Sequence, residues 1–220
     1  TAKGDKLSDK TVASDTKGGA VVAWNPKKYV KKDGTLNLIN SGETRVQWVK
    51  ADKTLRYPTE GLLVNDPLHG DVNGIKAFED GAGGIIILTS QNRLYFQRLD
   101  ANGEKTYAGG GKLIADASGI LSAISDNAGG VFVAYYHFSE GTVCNRINRS
   151  GEKIWGENGI FLSKEYVSAF LARDESGGIR AVYVQRDQFK SEVFCLRIDG
   201  QGKTWSFGAV SVCNDTRGLY

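Results

Sequence analysis

Methionine is absent from this chain of 220 residues, proline occurs three times and histidine twice. With 28 glycines against 3 prolines, turns must be made by glycine, and the compositional signature of a disordered Pro-rich linker is missing. The two histidines, His69 and His137, have no partner at ligand spacing. This removes the zinc motifs and leaves no local catalytic pair, so both are expected to be ordinary surface or rim residues. Three cysteines without a CxxC or Cys/His spacing offer neither a disulfide framework nor a metal cage. No apolar run approaches the roughly 18 residues that span a bilayer, and Thr1 to Lys6 lacks the apolar core of a signal peptide. Any address tag is therefore expected to be removed or to lie outside the chain. The charge balance is 28 basic to 25 acidic residues, net +3. It provides no field of the strength that marks a nucleic-acid partner.

What the chain has is repetition. The pattern DxxGG begins at Asp15, Asp80, Asp126 and Asp174, and a short apolar run follows each time. The anchors are 65, 46 and 48 residues apart, a period that fits propeller blades of several short strands. In each turn an Asp side chain is suited to bond its own downstream amides and a glycine to take positive φ. The four aspartates are accordingly expected to be structural turn residues and not a ring of metal ligands. No DxDxDG loop with a distant Glu supports calcium. No metal and no cofactor are expected.

One repeat reads as four strands. A short strand precedes the Asp. A β-branched or aromatic run without polar alternation follows the glycines, as in Ile85 to Leu88 and Val131 to Tyr135, and is expected to be covered on both faces. A third strand, as in Leu94 to Leu99 and Thr142 to Ile147, ends in a Gly turn. An aromatic comes soon after, at Tyr57, Tyr107, Trp155 and Trp205, and is expected to pack between blades. A fourth strand closes the unit. Blades are expected over about 7–65, 71–115, 117–163 and 167–213, with 214–220 opening another. Cys144 and Cys195 share one repeat position with Phe96 and Val46, which predicts two buried, unreactive thiols. Arg98, Arg146 and Arg197 also share a position, where their stems are expected to cover aromatics while their heads stay in water. The fold expected is thus all-β, a β-propeller or a segment of one, forming a single domain.

The DxxGG turns, the third strand Gln97-Arg98-Leu99-Asp100 and the segment Trp155-Gly156-Glu157-Asn158-Gly159 together resemble the divergent β-propeller repeats of bacterial secreted and cell-surface proteins. The resemblance runs from about Lys6 to Cys213. It implies an extracellular, cell-surface or periplasmic location and is silent on activity. WD-repeat blades do not match, because no Trp-Asp dipeptide occurs, and the SxDxGxxW boxes of sialidase propellers are missing.

The departure from the repeat is the functional clue. Between Trp24 and Arg45 lie twenty residues where the second repeat has five, and excess loop on a rigid scaffold is where binding usually resides. The segment is basic, with Lys27, Lys28, Lys31 and Lys32 around Tyr29. Asp33-Gly34 is suited to turn a hairpin whose return leg starts at Thr35. A solvated, tolerated insertion is the competing reading. Propeller geometry is expected to bring this loop to the same rim as His69, Arg93, His137 and Arg186, a face suited to an anionic glycan or protein. Three functions stay open: a non-enzymatic module binding a glycan, peptide or protein; a purely structural segment of a longer chain; and a propeller hydrolase or lyase. The last is disfavoured because the acids mostly obey the repeat.

Overall fold

The computed structural model describes residues 7–186 and 190–215. It is all-β. Four successive antiparallel sheets follow one another along the chain, each a meander of the blade type. The first contains β1 (Leu7–Ser14), β2 (Ala20–Lys32), β3 (Thr35–Asn40), β4 (Arg45–Val49) and β5 (Leu62–Leu63). The second contains β6 (Gly74–Glu79), β7 (Ile85–Ser90), β8 (Leu94–Leu99) and β9 (Lys112–Ala115). The third runs from β10 (Ala117–Ser125) through β11 (Val131–His137) and β12 (Gly141–Ile147) to β13 (Ile160–Ser163). The fourth has β14 (Ala169–Arg173), β15 (Ile179–Arg186), β16 (Ser191–Ile198) and β17 (Val210–Asp215). Among the described residues the helical content is one 3-10 turn, Pro67–His69. Of the stretch 214–220, Asn214 and Asp215 end β17, and 216–220 lie outside the described residues.

The chain divides into two compact units, one through Gly119 and one from Ile120. In the first, Val21, Ala23 and Val46 of one sheet bury against Ile75, Ala77, Ile85 and Ile87 of the next. In the second, Phe132, Ala134 and Cys144 meet Ala169, Leu171, Ile179 and Ala181. Each Val, Leu, Ile and Phe among them, fully buried, contributes about 1.5–3 kcal/mol. Strands β7, β8 and β11 are buried along almost their whole length. β2 and β15 instead alternate between buried and more exposed positions, so the expectation of two covered faces fails for the first and fourth sheets.

The DxxGG motif has a full physical account. Asp80 Oδ1 accepts from the amides of Ala82 (2.8 Å) and Gly84 (2.7 Å), and Asp15 and Asp126 make the same two bonds in their turns. Gly83 is left-handed, with φ 82°. A Cβ on Gly84 would collide with the Leu99 carbonyl and the Asp80 carboxylate, so the two glycines are required for different reasons. The second carboxylate oxygen reaches the third strand. Asp80 Oδ2 takes Arg98 Nε at 2.8 Å, Asp126 takes Arg146 Nε at 2.9 Å, and Asp174 takes Arg197. In the first sheet Trp48 stands at the Arg position and donates its indole N–H to Asp15 at 2.9 Å. The arginine heads are therefore turned onto carboxylates and only partly wetted. Arg98 and Arg146 are only 19% and 22% exposed, because a buried carboxylate requires a charged partner.

A second recurring element is a buried amide. Gln97 Oε1 accepts from the backbone N–H of Tyr107 and its Nε2 donates to the Tyr107 carbonyl; Gln47 bonds Tyr57 in the same way. Asn145 accepts from Trp155 N–H and donates to the Gly156 carbonyl. These amides hold the aromatic that follows the turn, and that aromatic reaches the neighbouring sheet: Tyr57 Oη donates to the Gly103 carbonyl (2.7 Å) and Trp155 Nε1 to that of Gly200 (3.2 Å). The fourth sheet departs from this. Leu196 replaces the amide, and the N–H of Trp205 bonds the Arg197 carbonyl as those of Thr106 and Ile154 bond Arg98 and Arg146. Ser206, not Trp205, therefore holds the place of Tyr57, Tyr107 and Trp155.

The shared cysteine slot divides likewise. Cys144 is fully buried, and burial pushes its thiol far above the ordinary range. Cys195 is only half-buried, on a face whose lateral neighbours are Val182 and the 66% exposed Phe170. Cys213 is exposed. With a maleimide under native conditions, Cys213 is expected to label first and Cys195 more slowly, while Cys144 labels only after denaturation. Mass mapping of the adducts checks this, and native labelling of Cys144 contradicts the packing of β12.

Candidate functional site

The long insertion is a hairpin. β2 and β3 pair from Lys27↔Asn40 to Lys32↔Thr35, and Asp33 (φ 50°) and Gly34 (φ 81°) form the two-residue turn. Strand alternation divides the basic cluster, because positions 27, 29 and 31 face one side of the ribbon and 28, 30 and 32 the other. Lys28 is further neutralised by Glu43 at 2.7 Å, which also takes Arg45 at 2.8 Å. Burial pushes the Glu43 carboxyl up, but these two cations outweigh it and hold it below its ordinary value. Lys31 stands exposed; the side chains of Tyr29 and Lys32 lie outside the described part of the structure. Lys27 and Lys31 therefore lie on the face of the ribbon opposite Lys28.

The hairpin root is fixed by buried amides. Asn65 accepts from Thr44 N–H and donates to the Gly42 carbonyl, and Gln91 Nε2 lies within 3.0–3.3 Å of the carbonyls of Gly42, Asp66 and Gly70. Nearby, His69 stacks on Tyr95, centroids 4.6 Å apart and planes 4° from parallel, with Nε2 3.8 Å from the Asp66 carboxylate. Arg93 pairs with Asp116 at 2.8 Å, both more than half exposed. His69, Arg93 and the hairpin belong to the first unit.

His137 and Arg186 belong to the second. His137 ends β11, where Ser139 Oγ lies 3.2 Å from its Nδ1. Arg186 ends β15 and lines a cleft between the third and fourth sheets. The cleft has a volume of about 430 Å³ and is walled by Phe161, Ser163, Lys164, Glu165, Gln185, Arg186, Lys190 and Glu192. Glu165 and Arg186 also line an adjoining hollow of about 240 Å³ that includes Tyr166 and Ser168. Tyr166 is 62% exposed and leans on Tyr136 at 5.5 Å; Phe161 is 53% exposed. The floor is positioned by Thr142, whose hydroxyl donates to the Glu165 carbonyl (2.6 Å) and accepts from Val167 N–H.

The chemistry assembled here is charged and hydrogen-bonding groups beside exposed aromatic faces. Lys190 and Glu192 pair with each other at 3.2 Å, and Lys164, Glu165 and Arg186 add further charged groups to the lining. Of the candidate residues drawn from the sequence, Arg186 alone lines this cleft. The segment Lys164-Glu165-Tyr166, which completes it, was missed; its signal was a linker of five residues between β13 and β14 where β9 and β10 are joined by one. Among the described residues no cluster of three or more His, Cys, Asp or Glu side chains is placed to hold a metal ion, and no helix is long and apolar enough to cross a membrane.

Searched against protein-family models and curated protein sequences, the chain matches none. Solved structures align with the chain at low similarity. A protein of unknown function from Bacteroides caccae aligns at 12% identity with a TM-score of 0.43, covering 95% of this chain and 82% of its own. The SapL1 lectin in complex with α-methyl fucoside aligns at 14% identity and a TM-score of 0.43, covering 95% and 79%. A structure from the GH130 family of mannoside phosphorylases and glycoside hydrolases aligns at 10% identity and 0.44, covering 98% and 72%.

Proposed function

We propose that the protein is a non-enzymatic binding module that recognises an acidic glycan through the cleft of its second unit. The observation that carries this reading is the placement of Arg186, Lys164 and Gln185 around one cleft, with the exposed ring of Phe161 in its wall and that of Tyr166 in the adjoining hollow. Arginine matches a carboxylate in a planar fork, and the aromatic faces offer stacking area for sugar rings. Binding fits better than hydrolysis, which needs one carboxyl held protonated beside an ionised one. Of the two carboxyls in the cleft, Glu192 is already engaged by Lys190 at 3.2 Å.

The probe is tetragalacturonate, compared with neutral maltotetraose by calorimetry on the intact chain. Tetragalacturonate is expected to bind more tightly, with affinity falling as salt rises. Arg186→Ala is expected to weaken it about tenfold, equivalent to about 1.4 kcal/mol. A variant whose hairpin is shortened across residues 26–34 is expected to bind as the parent does. Equal affinity for both tetrasaccharides, or loss on shortening the hairpin but not on Arg186→Ala, defeats the proposal.

A further inference from the structure

The first unit contains a separate pocket at the opposite, turn-bearing end of its strands. It has a volume of about 500 Å³ and lies between the first two sheets, with Tyr57 and Leu62 on one side and Glu104, Lys105 and Tyr107 on the other. Both tyrosine rings are set before any ligand arrives. Tyr57 is anchored through its hydroxyl to the Gly103 carbonyl at 2.7 Å. Tyr107 is held by the Gln97 amide through its backbone and turns its ring against the edge of Phe96, centroids 6.1 Å apart at 74°. The turn that presents Glu104 is rigid as well, because Asp100 accepts from the N–H of both Asn102 and Glu104. The rings are thus presented without an ordering cost on binding, and Glu104 from a fixed backbone position.

Packing of the repeat does not require this set. In the second unit the positions of Tyr107 and Glu104 in the fourth sheet carry Ser206 and Lys203. The third sheet keeps an acid, a Lys and an aromatic at these positions, Glu152, Lys153 and Trp155, so the set recurs in the repeat but is dispensable to the packing of the fourth sheet. The charges on the wall, one Glu and one Lys, cancel, so the pocket has no net attraction for an anion. Its volume lies in the range of small-ligand sites, which is about 300–1,000 Å³. We infer that this pocket is a second carbohydrate site, independent of the Arg186 cleft, that takes a neutral pyranose: the sugar's C–H face lies on the tyrosines while Glu104 and Lys105 hydrogen-bond its hydroxyls.

The experiment is saturation-transfer NMR on the intact chain with cellobiose, lactose and methyl α-mannopyranoside as probes. At least one is expected to receive saturation from aromatic protons. Glu104→Ala and Tyr107→Ala are each expected to weaken that probe at least about tenfold, a change of about 1.4 kcal/mol, while Arg186→Ala leaves it unchanged. Glu104 is exposed, so its replacement tests the site even where Tyr107→Ala lowers stability. Absence of transfer to all three probes overturns the inference. So does loss of transfer in Arg186→Ala, or binding by Glu104→Ala equal to that of the parent. Tetragalacturonate binding lost in Arg186→Ala but kept in Glu104→Ala separates the two sites, so each proposal fails on its own result.

Discussion

Replacing Asp80 by Ala is expected to destabilise the first unit by about 3–5 kcal/mol, the range for breaking a buried ion pair and leaving one charge alone. The Asp80 side chain is fully buried and Arg98 is 19% exposed. The substitution strands that guanidinium and also frees the amides of Ala82 and Gly84. Loss of the turn bonds alone would have cost about 0.5–2 kcal/mol, by analogy with helix caps. The difference between the two ranges makes the measurement informative. Chemical denaturation of parent and variant checks it, and a loss at or below the smaller range refutes the energetic importance of the Arg98 pair.

The same residue predicts an acid limb. Burial pushes the Asp80 carboxyl up, but the two amides and the Arg98 guanidinium outweigh that and hold it below its ordinary value of 3.8. The indole N–H of Trp48 is the main cause of the lowering at Asp15, and the Arg197 guanidinium at Asp174. A carboxyl lowered by folding contributes its full stabilisation above 3.8 and loses it as pH falls through the lower folded value. Stability is thus expected to fall on acidification below about pH 4, and less steeply in Asp80→Ala than in the parent.

Trp155→Ala is the second large effect, at about 3–5 kcal/mol in the second unit, and lowers Tm by about 10 °C for a chain of this size. Trp155 is 7% exposed and lies 5.4 Å from the Phe132 ring, with its N–H on the Gly200 carbonyl. It also closes against the left-handed turn of the fourth sheet, where a Cβ on Gly202 would fall 2.7 Å from its Cδ1. Removing it therefore opens a cavity and unties two sheets at once. Calorimetric scanning checks the shift, and a change within about 1 kcal/mol, the ordinary scale of a point mutation, would show that the sheets pack without it.

The candidate sites were much less legible in the sequence than the turns. Arg186 was singled out as one cation of a shared rim, but the cleft it lines is completed by a linker that follows no repeat pattern. Lys27, Lys28, Lys31 and Lys32 read as one cluster because linear proximity hides strand alternation, and Glu43, fifteen residues from Lys28, gave no sign of pairing with it. The pocket of Tyr57 and Tyr107 was hidden for the opposite reason. Both tyrosines fit the repeat and were read as packing alone, and Glu104 attracted no notice beside them.

The sequence by itself determined the four antiparallel meanders, their turns and the protruding hairpin. Those features are settled within a few residues: Asp bonds amides two and four positions on, glycine supplies the left-handed φ, and Asp33-Gly34 closes a two-residue loop. Tertiary structure alone decided the rest. The carboxylate of each DxxGG turn has a second oxygen, and its partner lies 18 to 33 residues away on another strand. Which side chains meet there, and which remain free to line a cleft, depends on strand register and sheet packing, and no local pattern encodes those distances.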